Sequence, residues 1–135
     1  MEIEKLSGTE ERLYQLVGPL VMDPAVLRQN NNYPFKTSVH YIWFVAVEED
    51  LVLGFMPVEV KNDQAVINNY YIADENPGFL IAMLKSVLGY FGKEYRVQAV
   101  VQMRDIDVFK KHKFEVIRTW KVYVRMELRR RKPKN

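Results

Sequence analysis

Apolar positions in this 135-residue chain recur with two different periods, and the changes of period divide it into helices and strands. Leu13, Leu16, Val17 and Leu20 are spaced as on one face of a helix. Just before them, Ser7 and Glu10 stand three residues apart as in a capping box, so a first helix is expected after Ser7. Asp23-Pro24 pairs an N-cap residue with a first-turn proline and predicts a short second helix through Val26 and Leu27. Asn30-Asn31-Asn32-Tyr33-Pro34 ends it. The period then falls to two. Tyr41 to Val47 is a β-branched and aromatic run, and Glu48-Glu49-Asp50 separates it from Leu51 to Met56, which together read as a hairpin. After a turn at Lys61-Asn62-Asp63, residues 64–73 are expected to form a third antiparallel arm. Pro57, which has no N–H to give a ladder, implies an edge position or a bulge.

Asn76-Pro77 repeats the cap-plus-proline start, and the stripe from Phe79 and Leu80 through Met83, Leu84, Val87 and Leu88 to Phe91 predicts a long helix ending at Gly92. Tyr95, Val97, Ala99, Val101 and Met103 alternate with more polar neighbours. Strand, helix, strand in that order suggests a right-handed parallel crossover that sets Ile72 and Val100 on neighbouring parallel strands. Asp105 opens a short helix carrying Ile106 and Phe109. Two strands follow, Phe114 to Thr119 and Trp120 to Leu128, with Trp120, Val122, Val124, Met126 and Leu128 assigned to one face of the last.

Composition narrows the class. With 48% hydrophobic and 13% aromatic residues, the chain is expected to form one domain over residues 1–128. It contains no cysteine, which excludes disulfides, thiolate metal sites and a cysteine nucleophile, and two well-separated histidines make no recognisable ligand set. Neither a signal peptide nor an apolar run of membrane-spanning length (~18 residues) is visible, so a cytoplasmic location is the expectation. The net charge of +3 comes from residues 129–135, where five of the 20 basic residues lie, leaving 15 against 17 acidic residues elsewhere. That tail is read as a solvated end, and nucleic acid would find a footing only there.

The order of elements, the text Trp43-Phe44-Val45-Ala46-Val47 followed by Leu51-Val52-Leu53-Gly54-Phe55, and the stretch Phe109-Lys110-Lys111-His112-Lys113-Phe114 together resemble the GCN5-related N-acetyltransferase (GNAT) superfamily. The resemblance implies an α/β fold with a mixed, mostly antiparallel twisted sheet, flanking helices and one parallel strand pair around the central helix. It also implies acetyl-CoA or another acyl-CoA as cofactor, a small-molecule or peptide amine as acceptor, and leaves a homodimer open. In the family, a glycine-rich loop before the long helix presents backbone amides to the pyrophosphate. Here that loop is Asp74-Glu75-Asn76-Pro77-Gly78-Phe79-Leu80: Gly78 matches the first glycine, Leu80 replaces the second, no arginine precedes them, and Pro77 removes one donor. The implied cofactor-binding residues are Ile72, Ala73, Gly78, Phe79 and Leu80. The tyrosine that often protonates the leaving thiolate corresponds to Phe109, which has no proton to give, and Lys113 stands where the family has glycine.

A base to deprotonate the amine is sought among His40, Glu59, His112 and Glu115. Glu59 is the first choice, since it alternates with Val58 and Val60 and faces away from one apolar side. Tyr71, with Tyr70 and Tyr123 as alternatives, is the candidate to supply a hydroxyl. All of these have bland readings as surface or packing groups. Two functions result: an acyl-CoA-dependent N-acyltransferase acting on an unknown amine, or a GNAT-fold binding or assembly module that has lost transfer chemistry.

Overall fold

A computed structural model describes residues 1–129. Eight strands form one sheet in the order β1-β2-β3-β4-β6-β8-β7, with β5 also paired to β3. Strand β1 (Glu2–Ser7) is followed by helices α1 (Glu11–Val21) and α2 (Pro24–Gln29). Strands β2 (Tyr41–Glu48), β3 (Leu51–Lys61), β4 (Gln64–Ile67) and β5 (Tyr71–Ile72) lead to the long helix α3 (Pro77–Phe91). Then come β6 (Arg96–Gln102), α4 (Ile106–Lys111), β7 (Phe114–Thr119) and β8 (Tyr123–Leu128). All described neighbours are antiparallel except β4 and β6, which are parallel and joined across α3.

The local signals act as expected at most boundaries. The Glu10 carboxylate accepts the Ser7 N–H at 2.6 Å, although the helix itself begins at Glu11. Asp23 caps α2 by accepting from the Ala25 and Val26 amides. The β2–β3 hairpin turns on Glu49 and Asp50, both at positive φ, as a two-residue turn matched to strand twist requires. Pro57 sits opposite Trp43, and its carbonyl accepts the Asn68 N–H where β3 changes partner from β4 to β5. A residue's N and C=O face the same side of a strand, so the proline nitrogen lies at this break, where no ladder donor is called for.

Two cores sandwich the sheet. On one face α3 and α4 bury Leu80, Met83, Leu84, Val87 and Phe109 against Phe44, Met56, Val58, Ile67, Ala99, Val101 and Met126. On the other, α1 and α2 bury Leu13, Leu16, Val17 and Val26 against Trp43, Val45, Val47 and Phe55. Pairing across the sheet sets Glu59, Val66, Gln98 and Glu127 in one row on this second face. Gly54 is needed where β5 closes on β3, since a Cβ there would stand 2.7 Å from the Tyr71 carbonyl oxygen and 2.8 Å from Met83 Cε.

Four sequence expectations are corrected. Strand β1 was not foreseen, because only Ile3 and Leu6 are apolar in Glu2–Ser7; charged residues suit an edge strand. The third arm is two strands, with residues 68–70 between them, so the parallel partner of β6 is β4, while Ile72 pairs with Gly54 on β3 and not with Val100. Strand β8 starts at Tyr123, leaving Trp120 in the hairpin and Val122 44% exposed. Arg129, placed in the tail, donates its N–H to the Lys113 carbonyl at 2.8 Å and pairs with Glu115 at 3.6 Å. The rest of the tail expectation falls on residues outside those described.

Lys113 follows the end of α4 in the left-handed region at φ 71, the position where the family's glycine would be free of strain. Lys113→Gly is therefore expected to raise stability by about 1 kcal/mol. A higher urea midpoint at unchanged slope would show it, and an unchanged or lower midpoint would mean that the left-handed lysine costs nothing.

Candidate functional site

The sheet opens between its parallel strands. β4 and β6 are in register from Gln64 opposite Arg96 to Ile67 opposite Ala99. Asn68, Asn69 and Tyr70 then leave the strand, with Asn69 at φ 30; β5 returns to β3, and β6 continues along β8. A wedge results, and the backbone groups on its two edges need partners from elsewhere.

The end of α2 supplies them. The Gln29 side chain makes two bonds to one residue: its Nε2 donates to the Ile72 carbonyl, and the Ile72 N–H donates to its Oε1, both at 2.8 Å. Asn30, 1% exposed, accepts from Gln102 Nε2 at 3.2 Å, while Asn31 Nδ2 donates to Gln102 Oε1 at 2.9 Å. On the β6 edge, the Gln102 N–H donates to the Tyr70 hydroxyl, which in turn donates to Asp105 at 2.6 Å. Arg104 donates to the Gln29 carbonyl and stands 3.7 Å from both Glu75 and Asp105, so it ties α2 to both sides of the wedge.

At the mouth of the wedge, Asp74 and Glu75 adopt positive φ, 57° and 51°, and Asn76 caps α3. Its Oδ1 accepts the Gly78 N–H at 2.8 Å; its carbonyl accepts the Phe79 and Leu80 amides at 3.2 and 3.3 Å. Three of the residues proposed to hold a cofactor thus have their amides engaged by Asn76. Leu80 also buries its side chain in the larger core. Arg104 reaches Glu75 of this loop from the far side of the wedge, at 3.7 Å.

The catalytic candidates are not brought together. Glu59 lies on β3 opposite Val66, and Tyr71 opposite Phe55, four residues away along the same strand, or about 13 Å. Glu59 is half-buried, 3.5 Å from Lys61, and lines an open depression of about 360 Å³ with Tyr41, Asn68 and Asn69. Burial raises the Tyr41 hydroxyl pKa and Glu59's charge adds to the rise, while a bond with Asn68 opposes it. The Tyr71 ring packs on Phe55, 5.4 Å between centroids, and burial, then Asp74 and Asp23, raise its pKa. Tyr70 is 1% exposed, with its ring 6.0 Å from that of Phe109. Burial pushes its hydroxyl well above the usual value, and the charge and hydrogen bond of Asp105 act in the same direction. His40 is exposed; His112 places Nδ1 2.8 Å from the Val108 carbonyl oxygen, and Glu115 pairs with Arg129. No cluster of three potential metal ligands occurs among the described residues.

A second hollow, of about 250 Å³, adjoins the wedge and was missed in the sequence because Trp120 was assigned to the wrong face. Tyr33, Asn69, Val100, Gln102, Trp120, Tyr123 and Arg125 line it, and Asn69 is shared with the Glu59 depression.

No protein-family model and no curated protein matches the sequence. Solved structures do. Escherichia coli ElaA superposes with a TM-score of 0.72 over 96% of this chain and 100% of its own, at 10% identity. An acyl-CoA N-acyltransferase from Pseudomonas aeruginosa gives 0.67 over 95% and 99%, at 11% identity. A GNAT family acetyltransferase from Elizabethkingia anophelis with acetyl-CoA bound gives 0.59 over 93% and 94%, at 13% identity. The chain has the GNAT fold. At these identities the likeness establishes architecture, and chemistry has to be argued from the wedge itself.

Tyr70 and Asp105 give the GNAT wedge of this chain a pH signature. Asp105 is raised by burial, against the lowering effects of the Tyr70 hydrogen bond and Arg104. A raised folded-state pKa means stability present below the unfolded value and lost as pH climbs through the folded one. Tyr70 therefore removes stability above about pH 10, and Asp105 removes some above about pH 4. Tyr70→Phe is expected to cost about 1–3 kcal/mol at pH 7 by stranding the Gln102 N–H and Asp105. It should also raise the Asp105 pKa further and abolish the alkaline loss due to Tyr70. Denaturant titrations between pH 4 and 11, with carboxyl NMR on Asp105, check all three; an unmoved Asp105 would contradict the pairing.

Proposed function

We propose that the protein is an acyl-CoA-dependent N-acyltransferase acting on an amine, with its cofactor wedge closed in the free chain by Gln29. The observation that carries this reading is the Gln29–Ile72 pair. A side-chain amide occupies the donor and acceptor of an unpaired strand edge, and the same two groups suit the amide of an extended ligand such as the pantetheine arm of acyl-CoA. The bound acetyl-CoA of the Elizabethkingia neighbour, on the same architecture, supports it.

In this reading Ile72 and Ala73 hold the arm once Gln29 swings away, and Arg104 faces the phosphates near Gly78 after releasing Glu75. Acyl-CoA supplies a thioester carbonyl to an attacking amine: the C–N bond forms, the C–S bond breaks, and the electron pair leaves on sulfur. Glu59 takes the amine proton, by way of water in the depression that meets the wedge at Asn69. Tyr71 remains the candidate to return a proton, and Tyr70 is the alternative nearest Phe109, where the family's acid would stand. The Asn76 cap favours a second reading, a binding module without transfer chemistry, because the Gly78, Phe79 and Leu80 amides are already engaged.

Calorimetric titration with acetyl-CoA at low salt separates the two readings. A transferase whose wedge Gln29 closes should bind weakly, and Gln29→Ala should tighten binding about tenfold by removing the competing amide. Glu75→Ala should tighten it as well, by freeing Arg104 and removing a like charge within the ~8–10 Å screening length. Absence of binding in the wild type and both variants, all folded, would leave the module reading.

A further inference from the structure

We infer that the hollow beside the wedge is a binding site for a carboxylate-bearing amine with a planar or apolar side chain, an amino-acid-like molecule. It rests on the transferase reading only in taking this molecule to be the acyl acceptor.

Three rings wall the hollow. Tyr123 meets Tyr33 edge-on at 6.4 Å and Trp120 at 5.0 Å between centroids. The backbone N–H of Trp120 donates to the Tyr123 carbonyl at 2.9 Å, and the Arg118 guanidinium lies 4.7 Å over its ring. Val100 contributes an apolar patch and Gln102 an anchored amide. This arrangement suits a flat or aliphatic side chain, since aromatic walls offer large contact area at little conformational cost.

Arg125 provides the charge. Its Nε donates to Gln98 at 2.8 Å, which orients the guanidinium, and its two terminal nitrogens have no hydrogen-bond or ion-pair partner among the described residues. The side chain is half-buried, and no acidic residue lines the hollow. A half-buried, oriented guanidinium with both terminal nitrogens open matches the two oxygens of a carboxylate. A ligand carrying only a cation would be repelled by Arg125 and Arg118. At about 250 Å³ the hollow falls below the usual ~300–1,000 Å³ of ligand sites, so it takes an amino-acid-sized molecule and not a nucleotide or a length of peptide.

The location ties the site to the wedge. Gln102 lines the hollow, while its side chain bonds Asn30 and Asn31 and its N–H bonds Tyr70. A ligand amine here would lie beside the residues that follow Gln29, the residue closing the wedge.

The test uses the whole chain without acyl-CoA and three probes of one shape: L-phenylalanine, 3-phenylpropionate and phenethylamine. Fluorescence of Trp120 is the readout, since the other tryptophan, Trp43, is 2% exposed; Trp120→Phe is the silent control. Phenylalanine and phenylpropionate should bind, with phenethylamine at least tenfold weaker. Arg125→Gln should weaken the two acids about 10- to 100-fold without moving the melting temperature, and Arg125→Lys should restore part of the loss. Equal binding of phenethylamine, no effect of Arg125→Gln in a folded variant, or no binding of any probe at ~10 mM would each overturn the inference. Adding acetyl-CoA to the bound state then separates the two claims: binding without N-acetylphenylalanine leaves the site standing and counts against the transferase.

Discussion

The constraint behind this structure is the parting of two parallel strands in the middle of a sheet. Up to Ile67 and Ala99, β4 and β6 satisfy each other's backbone; past them, each edge has donors and acceptors facing a gap flanked by two cores. Leaving a buried backbone group unpaired costs about 1–3 kcal/mol, so such a gap persists only if something polar fills it. The chain fills it from two directions. Gln29, Asn30 and Asn31 come from the end of α2, and Tyr70 with Asp105 from the strand ends. No buried side-chain polar atom among the described residues lacks a partner, so the side chains that fill the gap are themselves satisfied.

That filling also sets the terms for any ligand. A molecule entering along Ile72 gains only the difference between its own bonds and those of the Gln29 side chain. The competitor is intramolecular and always present, so the wedge imposes a selectivity that an open slot would not. A ligand reaching only one of the two Ile72 groups leaves the other orphaned, whereas an extended amide satisfies both.

Much of the architecture was legible in the sequence. Asp23-Pro24, Asn76-Pro77 and the Glu49-Asp50 turn are local devices whose effect depends on neighbouring residues alone, and they mark their boundaries as read. The parallel crossover followed from the order of elements. What could not be read depends on distant pairing. Strand β1 has two apolar residues and exists because β2 offers an edge to pair with. Trp120 continues the alternation of β8 on paper, but the hairpin ladder begins at Tyr123, so its ring packs with a residue of the opposite face. The site was legible only in its elements. Glu59 was assigned to the sheet face opposite Val58 and Val60, and lies there; the Gln29–Ile72 pair spans 43 positions and leaves no mark in either local stretch.

The same reasoning explains how a GNAT fold accommodates Leu80 at the start of its long helix and Phe109 on its last. The sheet and its two cores are specified by alternation and by stripes such as Leu80, Met83, Leu84 and Val87, where any well-packed apolar residue serves. Leu80 is a core side chain, and so is Phe109, fully buried against Phe114 at 5.2 Å. Both positions serve packing, and so favour stability. The groups that packing does not explain are Arg104 among two carboxylates, a tyrosine hydroxyl held by a half-buried aspartate, and Arg125 beside an aromatic hollow. Each sits at the margin of the wedge, where the parting of β4 and β6 required polar groups in any case, so the structural need and any function draw on the same residues.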